Sequence, residues 1–363
     1  MSDNRYCVIM AGGSANHFWP VSRKSQPKQF LPADLEGKSY LRKTYERLSG
    51  IIPTENILVI TLARYAALVR EMIPEIPEGN ILEEPYGRNT APCIAYSTYK
   101  IIQRCPEAVI INTPADHIID DEAAFRKDII SLLDNAAMHP ALMTLGIVPT
   151  EPETSYGYIQ VTGKRMGTNP VKVKTFVEKP DPELAEVFCK SGEFFWNSGI
   201  YAWKATIIME EMKKYTPEVV SMFQGWERSL GTPEEAAFLE KAYSDCPKIS
   251  IDYGVMEKTD RSWLYPGNFG WGDMDTWEAI QEHCGRKDKE GNCFLADKVM
   301  ADSDSDTLLM STLRGKKKLY AIKGLKDFIV IDTEDALLIC PKDDRQYKDF
   351  LSGLGMPEYE EFR

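Results

Sequence analysis

Short apolar runs alternate with longer amphipathic stretches through the first 150 residues, and this alternation restricts the chain to a layered α/β architecture. Tyr6–Met10, Ile57–Thr61, Ile81–Glu84, Ala108–Asn112 and Ala141–Ile147 read as buried strands. Leu62–Met72, Ala91–Arg104 and Asp121–Ala137 read as helices, the last opening on acidic residues as the helix dipole favours. Strand–helix alternation of this kind predicts a mostly parallel sheet sandwiched by helices. In open sheets, ligands bind beyond the carboxyl ends of the strands. The loops that follow Met10, Glu84 and Asn112 are therefore expected to converge.

Beyond residue 150 the pattern changes. Gly157–Val161, Lys172–Glu178 and Phe194–Trp203 read as clustered strands, followed by helices over 204–214 and 233–243. A charged, glycine-bearing segment at 285–292 marks a boundary. Past it, Leu308–Thr312, Lys318–Ile322, Phe328–Thr333 and Ala336–Ile339 form a small β-rich unit, with a last helix over 343–353. The reading is two domains, 1–285 and 286–363. No internal repeat stands out.

Net charge is −12, which argues against nucleic acid or an anionic membrane as a partner. Any phosphate ligand must be held by local donors and a metal rather than by a basic field. No run of about 18 apolar residues occurs, and the N-terminus lacks the pattern of a signal peptide. The eight cysteines are scattered without a CxxC pair, so reduced core thiols and a cytoplasmic location are expected.

Four stretches carry chemistry. After the first strand the chain turns through Ala11-Gly12-Gly13-Ser14-Ala15-Asn16-His17. Consecutive N–H groups in such a loop can cradle an anion, and glycine lets the backbone approach it. Lys28 follows in Pro27-Lys28-Gln29-Phe30-Leu31 and can return to the same place. The loop has neither the third glycine of a dinucleotide-binding turn nor a GxxxxGK[ST] motif. Asp116, in Pro114-Ala115-Asp116-His117, sits at a strand's carboxyl end, placed either to hold a hard cation or to cap the next helix. In Glu84-Pro85-Tyr86-Gly87-Arg88-Asn89-Thr90-Ala91-Pro92, Asn89 or Thr90 can cap a helix, and Arg88 offers a fork of donors to phosphate. Asn197, in Trp196-Asn197-Ser198-Gly199-Ile200-Tyr201, offers both a donor and an acceptor.

Taken together these strings resemble the sugar-1-phosphate nucleotidyltransferases, and among them the mannose-1-phosphate guanylyltransferases. AGGS…FWPxSRxxxPKQFL, EPYGRNTAP, PADH, FVEKP, WNSGIY, SIDYGVMEK and GWGDMDTW follow in that family's order over residues 5–280. The resemblance implies the nucleotide-diphospho-sugar transferase fold, with a truncated left-handed β-helix as the tail. It implies that mannose 1-phosphate attacks the α-phosphorus of GTP in line, giving GDP-mannose and pyrophosphate. The attacking phosphate is already anionic, so positioning and charge neutralisation suffice. The cofactor implied is Mg²⁺ on Asp116 and Asp273. Lys28, His17 and Asp116 are the implied catalytic groups. Ala11, Gly12, Gly13, Ser14, Asn16, Lys28, Glu84, Arg88, Asn89 and Thr90 would hold the nucleotide. Tyr156, Gly157, Glu178, Lys179, Asn197 and Asp273 would hold the sugar phosphate, while Ser250–Lys258 would buttress that pocket. The tail is a plausible homodimer surface, and it is shorter than the isomerase domain of bifunctional members requires.

Three loop positions depart from the family pattern. His17 stands where the family has arginine, Ala15 where it has glycine and Asn16 where it has threonine or serine. Arginine is permanently charged and grips phosphate with two donors, whereas histidine is mostly neutral near pH 7. Alanine with a positive φ costs about 1–2 kcal/mol. Two alternatives therefore stand beside the enzyme: a non-catalytic nucleotide-sugar-binding or regulatory homologue, and a guanylyltransferase for another sugar 1-phosphate such as a heptose.

Overall fold

A computed structural model describes residues 4–13, 18–32, 37–163, 169–273, 276–282, 287–313, 315, 317–342 and 347–362. It divides into two compact units: Met1–Gly12 with Leu41–Trp271, and Gly13–Tyr40 with Gly272–Arg363. The C-terminal part of the second unit thus begins at Gly272. Segment 13–40 also joins the C-terminal unit, a long-range grouping that local sequence patterns do not reveal.

The first unit is built on one sheet of nine strands. Its strands are β1 (Arg5–Met10), β2 (Ile57–Leu62), β3 (Ile81–Glu84), β4 (Val109–Pro114), β6 (Leu142–Ile147), β7 (Tyr158–Val161), β8 (Val171–Val177), β9 (Phe194–Lys204) and β10 (Ser262–Gly267), with the short β5 (His117–Ile119) outside it. The order is β3-β2-β1-β4-β9-β6-β10-β8-β7, and β7 also pairs with β9. Strands β3, β2, β1 and β4 are parallel, as are β6 and β10. Strand β9 runs against both of its neighbours, β4 and β6.

Helices α1 (Tyr40–Ser49), α2 (Ala66–Met72), α3 (Thr90–Arg104), α4 (Glu122–Met138), α5 (Pro182–Ser191), α6 (Ala205–Tyr215), α7 (Pro217–Met222), α8 (Trp226–Ser229) and α9 (Glu235–Ser244) connect the strands. Strands β2 and β6 are buried at every position, which explains why they read as continuous apolar runs. Tyr201 and Trp203 of β9 stack with ring centroids 5.6 Å apart and join the core formed with α3, α6 and α9. The side chain of Asp121 caps α4 by accepting from Ala124 N–H at 2.9 Å. Asp116 is therefore not that helix's cap.

β11 (Trp271–Asp273) begins on the last residue of the first unit, and in the second unit α10 (Trp277–Glu282) precedes a β-rich coil. Its strands are β12 (Cys293–Leu295), β13 (Lys298–Asp302), β14 (Leu308–Ser311), β15 (Leu319–Lys323), β16 (Phe328–Asp332) and β17 (Leu337–Pro341). β12, β14 and β16 stack in parallel, β13 and β15 stack in parallel, and β17 closes antiparallel on β16. Buried Asn292 and Asp304 tie the corners: Asn292 Nδ2 donates to Asp304 O at 3.0 Å, and Asp304 Oδ1 accepts from Leu325 N–H at 2.7 Å. The expected final helix is α11 (Tyr347–Ser352), since residues 343–346 lie outside those described. Cys7, Cys93, Cys105, Cys189, Cys246 and Cys340 are free thiols. Cys293 is in a disulfide, against the expectation of reduced thiols alone; chain spacing does not report which sulfurs fold together. No helix among the described residues is long and apolar enough to cross a membrane.

Segment 18–24 is bound into this unit by its own side chains. Trp19 Nε1 donates to Phe362 O at 2.7 Å, Arg23 donates to Phe362 O and to Asp335 Oδ1, and Lys24 pairs with Glu360. Phe18 meets Trp277 edge to face at 4.9 Å. Charge-assisted bonds of this kind contribute about 1.5–3 kcal/mol each when shielded. Arg23→Ala is expected to destabilise the second unit by about 1–3 kcal/mol and to raise deuterium exchange across 357–362. Unchanged exchange there would show that the arginine does not hold the tail.

Candidate active site

In the first unit, the carboxyl ends of β1, β3, β4, β6 and β10 open on one edge of the sheet, as their parallel registers require. At the end of β1 the backbone is still tied to β2: Ala11 N–H donates to Ile60 O, and Thr61 Oγ1 donates to Ala11 O, both at 2.8 Å. Gly12 then passes Glu84, and a Cβ there would stand 3.3 Å from Glu84 Oε2. The loop's next residues, Ser14, Ala15, Asn16 and His17, lie outside those described.

Glu84 is 5% exposed and accepts from Tyr243 OH at 3.0 Å. Burial outweighs that hydrogen bond and pushes its carboxyl up to about 8, so Glu84 is largely neutral at pH 7. Tyr243, which sequence reading did not single out, also donates to Pro92 O at 3.3 Å and links β3 to α3.

Residues 88–91 lock onto 249–251. Asn89, with φ 66°, caps α3 by accepting from Thr90 N–H at 2.8 Å. Thr90 Oγ1 accepts from Ile251 N–H at 2.8 Å, Ala91 N–H donates to Ile249 O at 3.1 Å, and Ile249 N–H donates to Arg88 O at 3.3 Å. Arg88, read from the sequence as a candidate phosphate ligand, has two of its donors on backbone carbonyls. Its guanidinium donates to the carbonyls of Tyr243 (2.9 Å) and Ser244, at the C-terminus of α9 where the helix dipole favours a cation.

A second cluster forms around β9. Asn197 pairs with Gly146 at the carboxyl end of β6. Asn197 Nδ2 donates to Asp252 Oδ1 at 2.8 Å, and Tyr201 OH donates to the same oxygen. A Cβ at Gly157 would stand 3.3 Å from Glu178 Oε2 and 3.7 Å from Asn197 Cβ, so glycine there admits a close approach. Burial, with Asp252 and Glu178 nearby, raises the Glu257 carboxyl. Tyr156 meets Trp196 at 5.2 Å and Trp271 at 5.0 Å, both edge to face. Lys179 is exposed with φ 38°, directly before buried Pro180. Asp116 follows β4 and is partly exposed. Sequence reading placed Ser250–Lys258 as a support but missed Asp252 as a partner of Asn197. The SIDYGVMEK string was the available signal. Residues 252–256 form a π-helical turn, a geometry common at functional sites.

In the second unit Lys28 Nζ lies 3.1 Å from Asp273 Oδ1 and 5.7 Å from the centre of the Phe18 ring. The lysine is 5% exposed, so its charge is neutralised mainly by what it touches rather than by water. Asp275, a candidate helix cap from the Thr276-Trp277-Glu278 that follow it, lies outside the described residues.

An α/β sheet of this order, with glycine-loop and carboxylate groups at its carboxyl edge and a β-helical tail, defines the nucleotide-sugar transferase fold. The nucleotidyl transferase family model matches residues 6–287, and a mannose-phosphate-isomerase/GMP-like β-helix domain matches 303–347. The chain belongs to the nucleotidyl transferase family of enzymes. It is 35% identical to the mannose-1-phosphate guanylyltransferase RfbM of Salmonella typhimurium, over 98% of this chain and 74% of that protein. It is also 35% identical to mannose-1-phosphate guanylyltransferase 2 of Escherichia coli O157:H7, over 94% of this chain and 71% of that one. A solved structure from Thermus thermophilus, titled a mannose-1-phosphate geranyltransferase, superposes with a TM-score of 0.85 at 30% identity, covering 97% of this chain and all of its own.

Glu84 generates a pH prediction. Its carboxyl lies near 8 in the fold against 4.5 when free, so its contribution to stability is complete below about pH 4.5 and is lost as pH rises to about 8. Glu84→Gln cannot ionise. Between those limits the wild type should lose on the order of 4 kcal/mol relative to the variant, read as a widening difference in denaturant midpoint. Parallel pH curves for the two proteins would show that Glu84 ionises normally.

Proposed function

We propose that this protein transfers GMP from GTP to mannose 1-phosphate, giving GDP-mannose and pyrophosphate. The observation that carries the reading is the conjunction of two things: 35% identity along nearly the whole chain to proteins named for that reaction, and a buried lysine, Lys28, held against Asp273 where the family pattern wants a cation beside phosphate.

The sugar phosphate attacks the α-phosphorus and pyrophosphate leaves on the opposite side. The attacking oxygen needs no general base. Lys28 stabilises charge on the α-phosphate, and the 11–17 loop, including Ser14, Asn16 and His17, holds the leaving pyrophosphate. Glu84, Asn89 and Thr90 shape the nucleotide side; Tyr156, Gly157, Glu178, Lys179 and Asn197 shape the sugar side. Asp116 and Asp273 are carboxylates, the hard oxygen donors that Mg²⁺ prefers, and they are the residues that would hold it. Bound there, the ion would supply positive charge to the phosphates. A homodimer through the tail is part of the same reading, supported by exposed Leu337 and Ile339 on β17.

Pyrophosphate release from GTP, mannose 1-phosphate and Mg²⁺ tests the assignment. Wild type is expected to turn over and to stop when EDTA is added. Lys28→Ala should lower kcat by about 10²–10³-fold, the usual loss when a donor to developing charge is removed. Turnover with a heptose 1-phosphate but not with mannose 1-phosphate would reassign the sugar. Nucleotide-sugar binding without any turnover would make the chain a binder.

A further inference from the structure

We infer that Asp252, together with Tyr201, is a positioning residue that sets the side-chain amide of Asn197 in one orientation and thereby sets which sugar hydroxyl pair the pocket accepts; this rests on the reading of Asn197 as a sugar-side residue. A primary amide presents a donor on one side and an acceptor on the other. Vicinal hydroxyls of a hexose each donate and accept, so an amide free to flip reads two donor–acceptor orders equally well.

Asn197 is not free to flip. Its Oδ1 accepts from Gly199 N–H at 3.1 Å, and its Nδ2 donates to Asp252 Oδ1 at 2.8 Å. Tyr201 OH donates to that same Asp252 oxygen and lies 3.4 Å from Asn197 Oδ1. Turning the amide over would set its oxygen against a carboxylate oxygen and its NH₂ against a backbone N–H. Both contacts are repulsive. One Nδ2 hydrogen and one Oδ1 lone pair are left to face a ligand.

The anchor is itself held. Asp252 begins the π-helical turn, and the residue before it, Ile251, donates its N–H to Thr90 Oγ1 at 2.8 Å. The amide's orientation therefore depends on a turn fastened to the 88–91 element assigned to the nucleotide. Tyr201 is 1% exposed and stands in register with Asn112 of β4 and Thr144 of β6, both fully buried. Among the described residues, the side-chain polar atoms of Asn112 and Thr144 have no hydrogen-bond partner. A polar row in the middle of an apolar sheet is unfavourable for packing.

The test combines kinetics with a readout that does not need turnover. For Asp252→Ala, KM for mannose 1-phosphate should rise about tenfold, the usual cost of one hydrogen bond to a charged group, with KM for GTP within about twofold of wild type. Discrimination between mannose 1-phosphate and its C2 epimer, glucose 1-phosphate, should narrow. Asp252→Asn keeps an oxygen acceptor at the same place and should restore the sugar KM to within about threefold of wild type; Tyr201→Phe should fall between the two. In asparagine-¹⁵N-labelled protein, the Asn197 side-chain amide pair, assigned by its absence in Asn197→Ala, should be shifted and exchange-protected in wild type and Asp252→Asn but not in Asp252→Ala. Asn197 amide signals that are the same in wild type and Asp252→Ala overturn the inference. So does an equal loss of sugar affinity in Asp252→Asn and Asp252→Ala. If wild type fails to turn over GTP and mannose 1-phosphate, the proposed function fails, and the amide signals alone decide the inference.

Discussion

The arrangement of the first unit depends on β9 lying antiparallel between β4 and β6. A strand that runs against its neighbours reaches past their carboxyl ends with its first half. Here Tyr201–Lys204 pair with Val109–Asn112 of β4, while Phe194–Trp196 pair with β7 of the same sheet. The NSGI segment between them is thereby carried to the edge where β1, β3, β4, β6 and β10 end. The inner half of β9 contributes Tyr201 and Trp203 to the core, so the same strand anchors the fold and supplies Asn197. Moving β9 by one residue would turn Asn197 to the opposite face, because side chains alternate along a strand.

Contacts between distant motifs complete that edge. The 84–91 stretch contains residues that sequence reading assigned to a ligand and 249–252 belongs to the stretch it read as a support, and polar groups of both bind other parts of the protein. Arg88 serves the carbonyl end of α9, Thr90 serves Ile251, and Asp252 serves Asn197. Loops with many backbone groups to satisfy need such partners, since a buried unpaired group costs about as much as a lost hydrogen bond. Rigidity at the edge follows from this, and rigid donors are what a reaction run by positioning requires.

The second unit follows a different logic. Segment 18–24 is short and includes two prolines nearby, Pro20 and Pro27, so it cannot build regular structure on its own. It is ordered by the tail: Trp19, Arg23 and Lys24 reach residues 335–362. Arg23 and Lys24 are cations near the glycine loop in sequence, but they pair with Asp335 and Glu360. Lys28, a few residues on, is the buried cation of this segment and pairs with Asp273.

Much of the fold was legible in the chain because burial imprints itself on local pattern. The runs at 57–61, 108–112 and 141–147 became β2, β4 and β6 within a residue or two, and the acidic opening at 121 became the cap of α4. The glycines, Asp116, Asn197 and Lys28 stand out in the chain as residue types set at strand ends or in stiffened loops, which makes them candidates by position. Pairing was not legible. Strand direction, the disulfide at Cys293 and the joining of 13–40 to the tail are all set by contacts between residues far apart in the chain. So are the neutral Glu84 beside Tyr243, the bonds of Arg88 to a helix end, and the Asp252–Asn197 bond. The sequence by itself determined which groups are available and where chain periodicity buries them. The tertiary structure decided which groups face each other, because hydrogen bonding and desolvation act across a few ångströms of space whatever the separation along the chain.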